Sequence, residues 1–187
     1  MAETNPDRII KTLDKNLQHA VEITLFGRAA LALGFSSPIA EWGNTLDIDI
    51  IVPKHLSESI EHDEQFWEAI ETTNAQLAES GLFVAHIFDE EQLIIRPGWY
   101  DHRERIDLPA IEHILVYRPA AIDLVLTKMA RAEDPEDRQD IMMLISREQL
   151  TPRAIRDAIA EARVPDLPDI LEQFNKSKEF IEKQVMR

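Results

Sequence analysis

Apolar positions Ile9, Ile10, Leu13 and Leu17 recur at helical spacing, and they predict a first helix capped by Thr4 or Asn5 with Pro6 in its first turn. Val21–Phe26 is rich in β-branched and apolar residues and predicts a strand that runs into Gly27; the Ala/Leu-rich residues 28–33 then predict a helix. Gly, Ser, Pro and Asn collect in residues 34–45, which predicts a loop with one short turn. An alternating pattern follows over residues 46–52, a strand that Pro53 ends. Residues 54–80 carry a helical pattern, and Glu58, Glu61, Asp63 and Glu64 read as its solvated face.

Two further strands are expected at residues 82–88 and 93–95, joined by the acidic turn Asp89 to Gln92. Pro97-Gly98 marks another turn, and one more strand is expected at residues 114–117. Beyond Arg118-Pro119 the period becomes helical, over residues 120–131, 135–147, 152–162 and 167–186. Asp134-Pro135 and Thr151-Pro152 have the cap-then-proline order of helix starts. The expected fold class is α/β (α+β): a mixed sheet with flanking helices over residues 1–118, and a helical C-terminal part, 119–187, packed with it as a single compact unit.

Composition narrows the function classes. There is no cysteine, which removes disulfides, thiolate zinc sites and cysteine nucleophiles and suits a cytoplasmic protein. The longest apolar run, residues 23–35, contains Arg28 and is too short to span a bilayer, so no membrane role is expected. Lys and Arg number 20 against 35 Asp and Glu, a formal net charge of −15, and such a surface repels phosphate backbones. General DNA binding is therefore not expected. A local basic pocket, a nucleotide carried with its metal, or a basic protein partner stays open.

In Leu46-Asp47-Ile48-Asp49-Ile50 the strand period puts the apolar residues on one face and both aspartates on the other. Two neighbouring carboxylates repel by about 1 kcal/mol at 4 Å in water and roughly 4 at an effective dielectric of 20. A hard cation compensates directly, since Mg²⁺ is commonly shared between one or two carboxylates and substrate phosphates. The bland alternative is an edge strand whose charges discourage aggregation. Gly27 adds to the first reading, because a strand-glycine-helix turn lets a phosphate approach the backbone; alone, it is equally a turn glycine.

The runs LFGRAALALGF and NTLDIDIIVP resemble the nucleotidyltransferase fold of the DNA polymerase beta superfamily, and more narrowly bacterial minimal nucleotidyltransferases of the AbiEii toxin type. In that pattern a glycine turn precedes an acidic D-x-D pair, and a lysine and an R-D-x-x-D-like helix follow. The resemblance spans most of residues 22–145 and matches Gly27, Asp47, Asp49 and Lys128, with Asp137 and Asp140 supplied by DPEDRQDI. It implies transfer of a nucleoside monophosphate from an NTP to a protein or RNA hydroxyl, tRNA included. Asp47 and Asp49 would hold Mg²⁺ or Mn²⁺, Gly27 and Arg28 the triphosphate, and Lys128 a phosphate oxygen, with Asp137 completing the site. A toxin-antitoxin setting, with a cognate antitoxin as partner, goes with the likeness.

The match departs from the pattern in three ways: Arg28 stands where a second small residue is usual, the interval from Gly27 to Asp47 is long, and no third strand carboxylate stands out. Glu91, Glu104, Asp107 and Glu112 are the candidates for that acid. Arg28 has two readings, a clamp on the triphosphate or a cation that neutralises the Asp pair in place of a metal. Lys128 lies at the margin of the Ile122, Val125, Met129 stripe, and Asp137 aligns with Ile141 and Leu144, so a plain Lys128–Asp137 ion pair is a second reading for both. The runner-up function is a catalytically silent module of this fold that binds a nucleotide or a partner protein.

Histidines 19, 55, 62, 86, 102 and 113 show no zinc-hydrolase spacing, and most read as surface or packing residues. No Walker loop or nucleophile elbow occurs. Trp99 and Tyr100 are read as loop packing before base stacking.

Overall fold

The computed structural model describes residues 3–185, and the chain divides into two compact units: Met1–Asp89 with Arg103–Arg118, and Glu90–His102 with Pro119–Arg187. The change to helical sequence after Arg118 thus coincides with a unit boundary, and the segment Glu90–His102 groups with the helices. The fold class is α+β.

The first unit holds the whole sheet. Helix α1 (Asn5–Asn16) starts at Thr4, whose hydroxyl accepts from the Asp7 N–H, and Pro6 sits in the first turn where its missing donor costs nothing. Strand β1 (Val21–Phe26) leads into α2 (Gly27–Leu33), then β2 (Asp47–Val52), α3 (Lys54–Glu61), α4 (Glu64–Leu77), β3 (Phe83–Asp89), β4 (Glu104–Ile106) and β5 (Ile114–Arg118). The strand order is β3-β2-β1-β5-β4, with β1 antiparallel to β2, parallel β2–β3 and β1–β5 pairs, and β4 antiparallel to β5. Helices α1, α2 and α4 pack against one another or the sheet, and Ile9, Ile10, Leu13, Ile23, Leu25, Ile48 and Ile50 form a core with almost no exposure.

Buried Asp14 of α1 ties that helix to the entrance of β5: its carboxylate accepts from the backbone N–H groups of Glu112, His113 and Ile114 at 2.8–2.9 Å. Three charge-assisted bonds offset the desolvation of the charge.

Three expectations are corrected. The helix expected over residues 54–80 is two, because Asp63 leaves the helical path and caps α4, its carboxylate accepting from the Phe66 N–H at 3.0 Å. Residues 93–95 form no strand; Ile95 makes an isolated antiparallel bridge to Arg163 inside the second unit. Strand β4 is absent from the expected elements, since a three-residue strand with two charged positions carries too little alternation to read.

In the second unit, α5 (Ala121–Lys128), α6 (Pro135–Arg147), α7 (Pro152–Glu161) and α8 (Pro168–Val185) follow the expected helices closely. The expected end of the last helix at position 186 lies outside the described residues. Asp134 caps α6 by accepting from the Glu136 and Asp137 N–H groups, and Thr151 caps α7 through the Ala154 N–H. Among the described residues no helix is long and apolar enough to cross a membrane.

Candidate functional site

Strand alternation places Asp47 and Asp49 on one face of β2 while Ile48 and Ile50 enter the core. Both aspartates are half-buried. The Thr45 hydroxyl donates to Asp47 Oδ1 at 2.9 Å, which fixes that carboxylate at the start of the strand. Asp49 pairs across the antiparallel ladder with Phe26, the last residue of β1. This register brings Asp49 to Gly27.

Gly27 has φ +64°, the left-handed region in which a Cβ is strained, and a Cβ built there would stand 3.6 Å from Asp49 Oδ2. The glycine therefore makes the sharp turn from β1 into α2 beside the Asp49 carboxylate. Arg28 follows as the second residue of α2. The sequence places Gly27 and Asp49 far apart; the β1–β2 pairing joins them.

On its other side β2 pairs with β3, whose register slips between Ile48 and Asp49, so that Asp49 lies opposite His86. His86 Nδ1 is 3.6 Å from Asp49 Oδ1, and the imidazole also contacts the Phe88 ring, centroids 5.4 Å apart. Phe88 in turn meets Phe26 edge to face at 5.3 Å. Residue spacing alone leaves His86 among the surface or packing histidines; only the bulge between β2 and β3, which has no signature in the local sequence, singles it out.

Of the four candidates for a third acid, the three in the first unit lie away from β2. Glu104 pairs with Arg118 at 2.6 Å, Asp107 with Arg105 at 3.1 Å, and Glu112 offers its N–H to Asp14. Strands β4 and β5 lie on the far side of β1 from β2, while Glu91 belongs to the second unit. Among the described residues, no three or more His, Asp or Glu side chains stand, in their present conformations, close enough to grip one ion.

On the same sheet face as Asp49, Arg103 spans β1: its Nη1 donates to Glu22 Oε1 at 2.6 Å and Thr24 Oγ1 at 3.1 Å, with its guanidinium 4.5 Å from the Tyr117 ring centroid. That network braces the strand feeding Gly27.

Lys128 and Asp137 belong to the second unit and meet there. Lys128 Nζ donates to Asp137 Oδ1 and Asp140 Oδ2, both at 2.8 Å, and all three side chains are at most 4% exposed. Arg131 Nε stands 2.7 Å from Asp137 Oδ2 outside hydrogen-bond alignment, an ionic contact that adds a second positive charge. Asp137 and Asp140 are one turn apart on α6, and the cationic Lys128 ends α5, where the helix dipole favours it. Trp99 is buried in the same unit and donates through Nε1 to Glu90 Oε2, so its indole serves loop packing.

Comparison with protein-family models, with curated proteins and with solved structures finds no match to this chain.

Proposed function

We propose that the chain is a metal-dependent nucleotidyltransferase that moves a nucleoside monophosphate from an NTP to a protein or RNA hydroxyl. The observation that carries the reading is the Asp49 carboxylate set against the positive-φ turn of Gly27, with Asp47 on the same strand face. The donor set fits the implied ion: two half-buried carboxylates on one side of a strand offer hard oxygens and a negative charge that a divalent cation neutralises. Mg²⁺ or Mn²⁺ bound there would supply charge neutralisation and polarise a phosphoryl oxygen.

Asp47, anchored by Thr45, and Asp49, placed by the β1–β2 register, orient the donors. Gly27 turns the chain beside Asp49, and Arg28, the second residue of α2, is the cation this reading assigns to the triphosphate. Lys128, Asp137 and Asp140 enter as a fixed ion cluster of the second unit, two of the three ammonium donors being engaged by the aspartates. A cytoplasmic setting and a cognate antitoxin belong to the same proposal.

A second reading, a silent module that binds a nucleotide or a partner, is favoured by one observation: the neighbour of Asp49 on β3 is a histidine, where an additional carboxylate would help activate the acceptor hydroxyl. One assay separates the two. The purified chain is incubated with each labelled NTP and Mg²⁺ or Mn²⁺, alone and with tRNA, beside Asp49→Asn. Label transfer that is lost in the variant supports the enzyme. Metal-dependent NTP binding without transfer supports the silent module, and absence of both overturns the Asp-pair reading.

A further inference from the structure

We infer that the second unit carries a self-complementary contact for a second copy of the chain: Leu167, with Asp166 and Asp169 beside it, enters the groove between α7 and α8 of the other copy, and the same contact runs in the reverse direction. It is independent of the Asp47 and Asp49 reading. Leu167 is 58% exposed, the most exposed of the large apolar side chains among the described residues. Its N–H donates to the Pro165 carbonyl at 2.8 Å, and its own carbonyl accepts from the Leu171 N–H at 2.9 Å in the first turn of α8. Pro165 and Pro168 restrict the backbone on either side. Leu167 thus holds the capping position of α8, where Ser, Thr or Asp would satisfy a free N–H and leucine satisfies none. The result is a rigid apolar knob. Asp166 and Asp169 flank it, both exposed and, among the described residues, without an ion partner.

An exposed leucine is ordinary by itself, and its meaning comes from the other half of the contact. Between α7 and α8 lies a groove of about 320 Å³. Ile159 and Ala160 of α7 and Phe174 of α8 line it with apolar surface, while Arg156 and Lys178 contribute two cations and Glu182 one anion. Phe174, Lys178 and Glu182 recur every four residues and share one face of α8, as Arg156 and Ala160 share one face of α7. Ile159 and Phe174 are half-buried and the charged side chains are exposed, so the groove is open to a partner. Among the described residues neither Arg156 nor Lys178 has an ion partner, in a chain of net charge −15. Leu167 is not part of the lining, so the chain leaves its own groove unfilled.

Charge selects the occupant. An apolar groove with two unpaired cations calls for an apolar side chain carried between carboxylates, and that is the chemistry of the turn from Asp166 to Asp169. Knob and groove belong to the same unit, so a two-fold axis pairs them twice, each copy giving and receiving. The contact then closes at a dimer and does not grow into a filament. The stiff turn around Leu167 lowers the ordering cost of docking.

The test is sedimentation of the full chain from low micromolar to hundreds of micromolar concentration. Wild type should pass from monomer to dimer, and Leu167→Ser should weaken the dimer about tenfold or more, since the knob is lost twice. Serine caps a helix well, so at low concentration that variant should melt no lower than wild type, which separates loss of the contact from loss of the fold. Two charge reversals complete the set: Arg156→Glu with Lys178→Glu, and Asp166→Lys with Asp169→Lys. Each double variant alone should be monomeric, and an equimolar mixture of the two should form a heterodimer, because every knob then meets a groove of opposite sign. A wild type that stays monomeric throughout overturns a second copy as the occupant. A dimer that survives Leu167→Ser or either charge reversal belongs to another surface and overturns the contact, as do double variants that remain monomeric when mixed.

Discussion

Asp137 and Asp140, one turn apart on α6, keep 3% and 1% of their side chains exposed, and each lies 2.8 Å from the Lys128 ammonium; Asp49, two residues after Asp47 on β2, keeps 28% exposed. Both pairs concentrate negative charge. In the helix pair burial is nearly complete, and desolvation of that size is sustained only where a countercharge is built in, as Lys128 and Arg131 provide. In the strand pair partial exposure lets water share the cost of the charge. The difference teaches that acidic pairs of similar spacing carry very different desolvation costs, and that the deeply buried pair is matched by built-in cations.

The sharpest way to break this contrast is Lys128→Ala. It removes the ammonium that Asp137 and Asp140 share in a dry site, and should lower the unfolding free energy by about 3–5 kcal/mol, read from urea denaturation. A loss under about 1 kcal/mol would mean that the cluster is wetter than its burial implies.

Next in size is a matched comparison of neutralised acids. Asp140→Asn removes one partner of a buried ammonium and should cost about 1–3 kcal/mol in metal-free buffer. Asp49→Asn should change stability by no more than about 1 kcal/mol there, because its carboxylate is only partly withdrawn from water. It should instead abolish the rise in melting temperature on adding Mg²⁺ or Mn²⁺, a rise that mass action gives to any ion favouring the folded state. Equal ion responses in wild type and Asp49→Asn would reduce the effect to screening of the −15 net charge.

Gly27→Ala probes the backbone that frames the strand pair. The contact to Asp49 would be an ordinary 3.6 Å, so the cost comes from φ +64° and should be about 1–2 kcal/mol. Gly27→Asn, which tolerates that region, should cost less. Equal losses in the two variants would show that space beside Asp49, not conformation, sets the requirement for glycine.

The smallest effect belongs to a half-buried pair. His19 meets Gln65 Oε1 at one ring nitrogen and Asp63 Oδ2 at 2.8 Å at the other; the Gln65 bond first and the Asp63 bond second raise its pKa above 6.5. A raised histidine contributes stability that is fully present below its unfolded value and is lost as pH rises through the folded one. Thermal melts of wild type and His19→Ala should therefore differ more at about pH 5.5 than at about pH 8.5. A gap that grows with pH would reverse the sign and remove the charged contact.

Much of the fold is legible in the sequence because its signals are local. Thr4 with Pro6, Asp134 with Pro135 and Thr151 with Pro152 start helices through bonds that span three residues or fewer. The alternation around Asp47 and Asp49 identifies the strand face in the same way. The break at Asp63 is hidden inside a continuous helical pattern, and Asp14, inside α1, reads like any helix-surface carboxylate until β5 is brought to it. Lys128 and Asp137 are open to two readings, clamp or ion pair, and helical periodicity cannot say which neighbour a buried ammonium will meet.

The sequence by itself determined most helices, the main strands and the placing of two carboxylates on one side of β2, since periodicity and caps act over a few residues. Tertiary structure alone decided what those carboxylates face. Gly27 reaches Asp49 only through the antiparallel β1–β2 register, and His86 replaces Ala85 beside it only because β3 carries an extra residue. Cross-strand register is fixed by packing across the whole sheet, and one residue of slip exchanges its two faces.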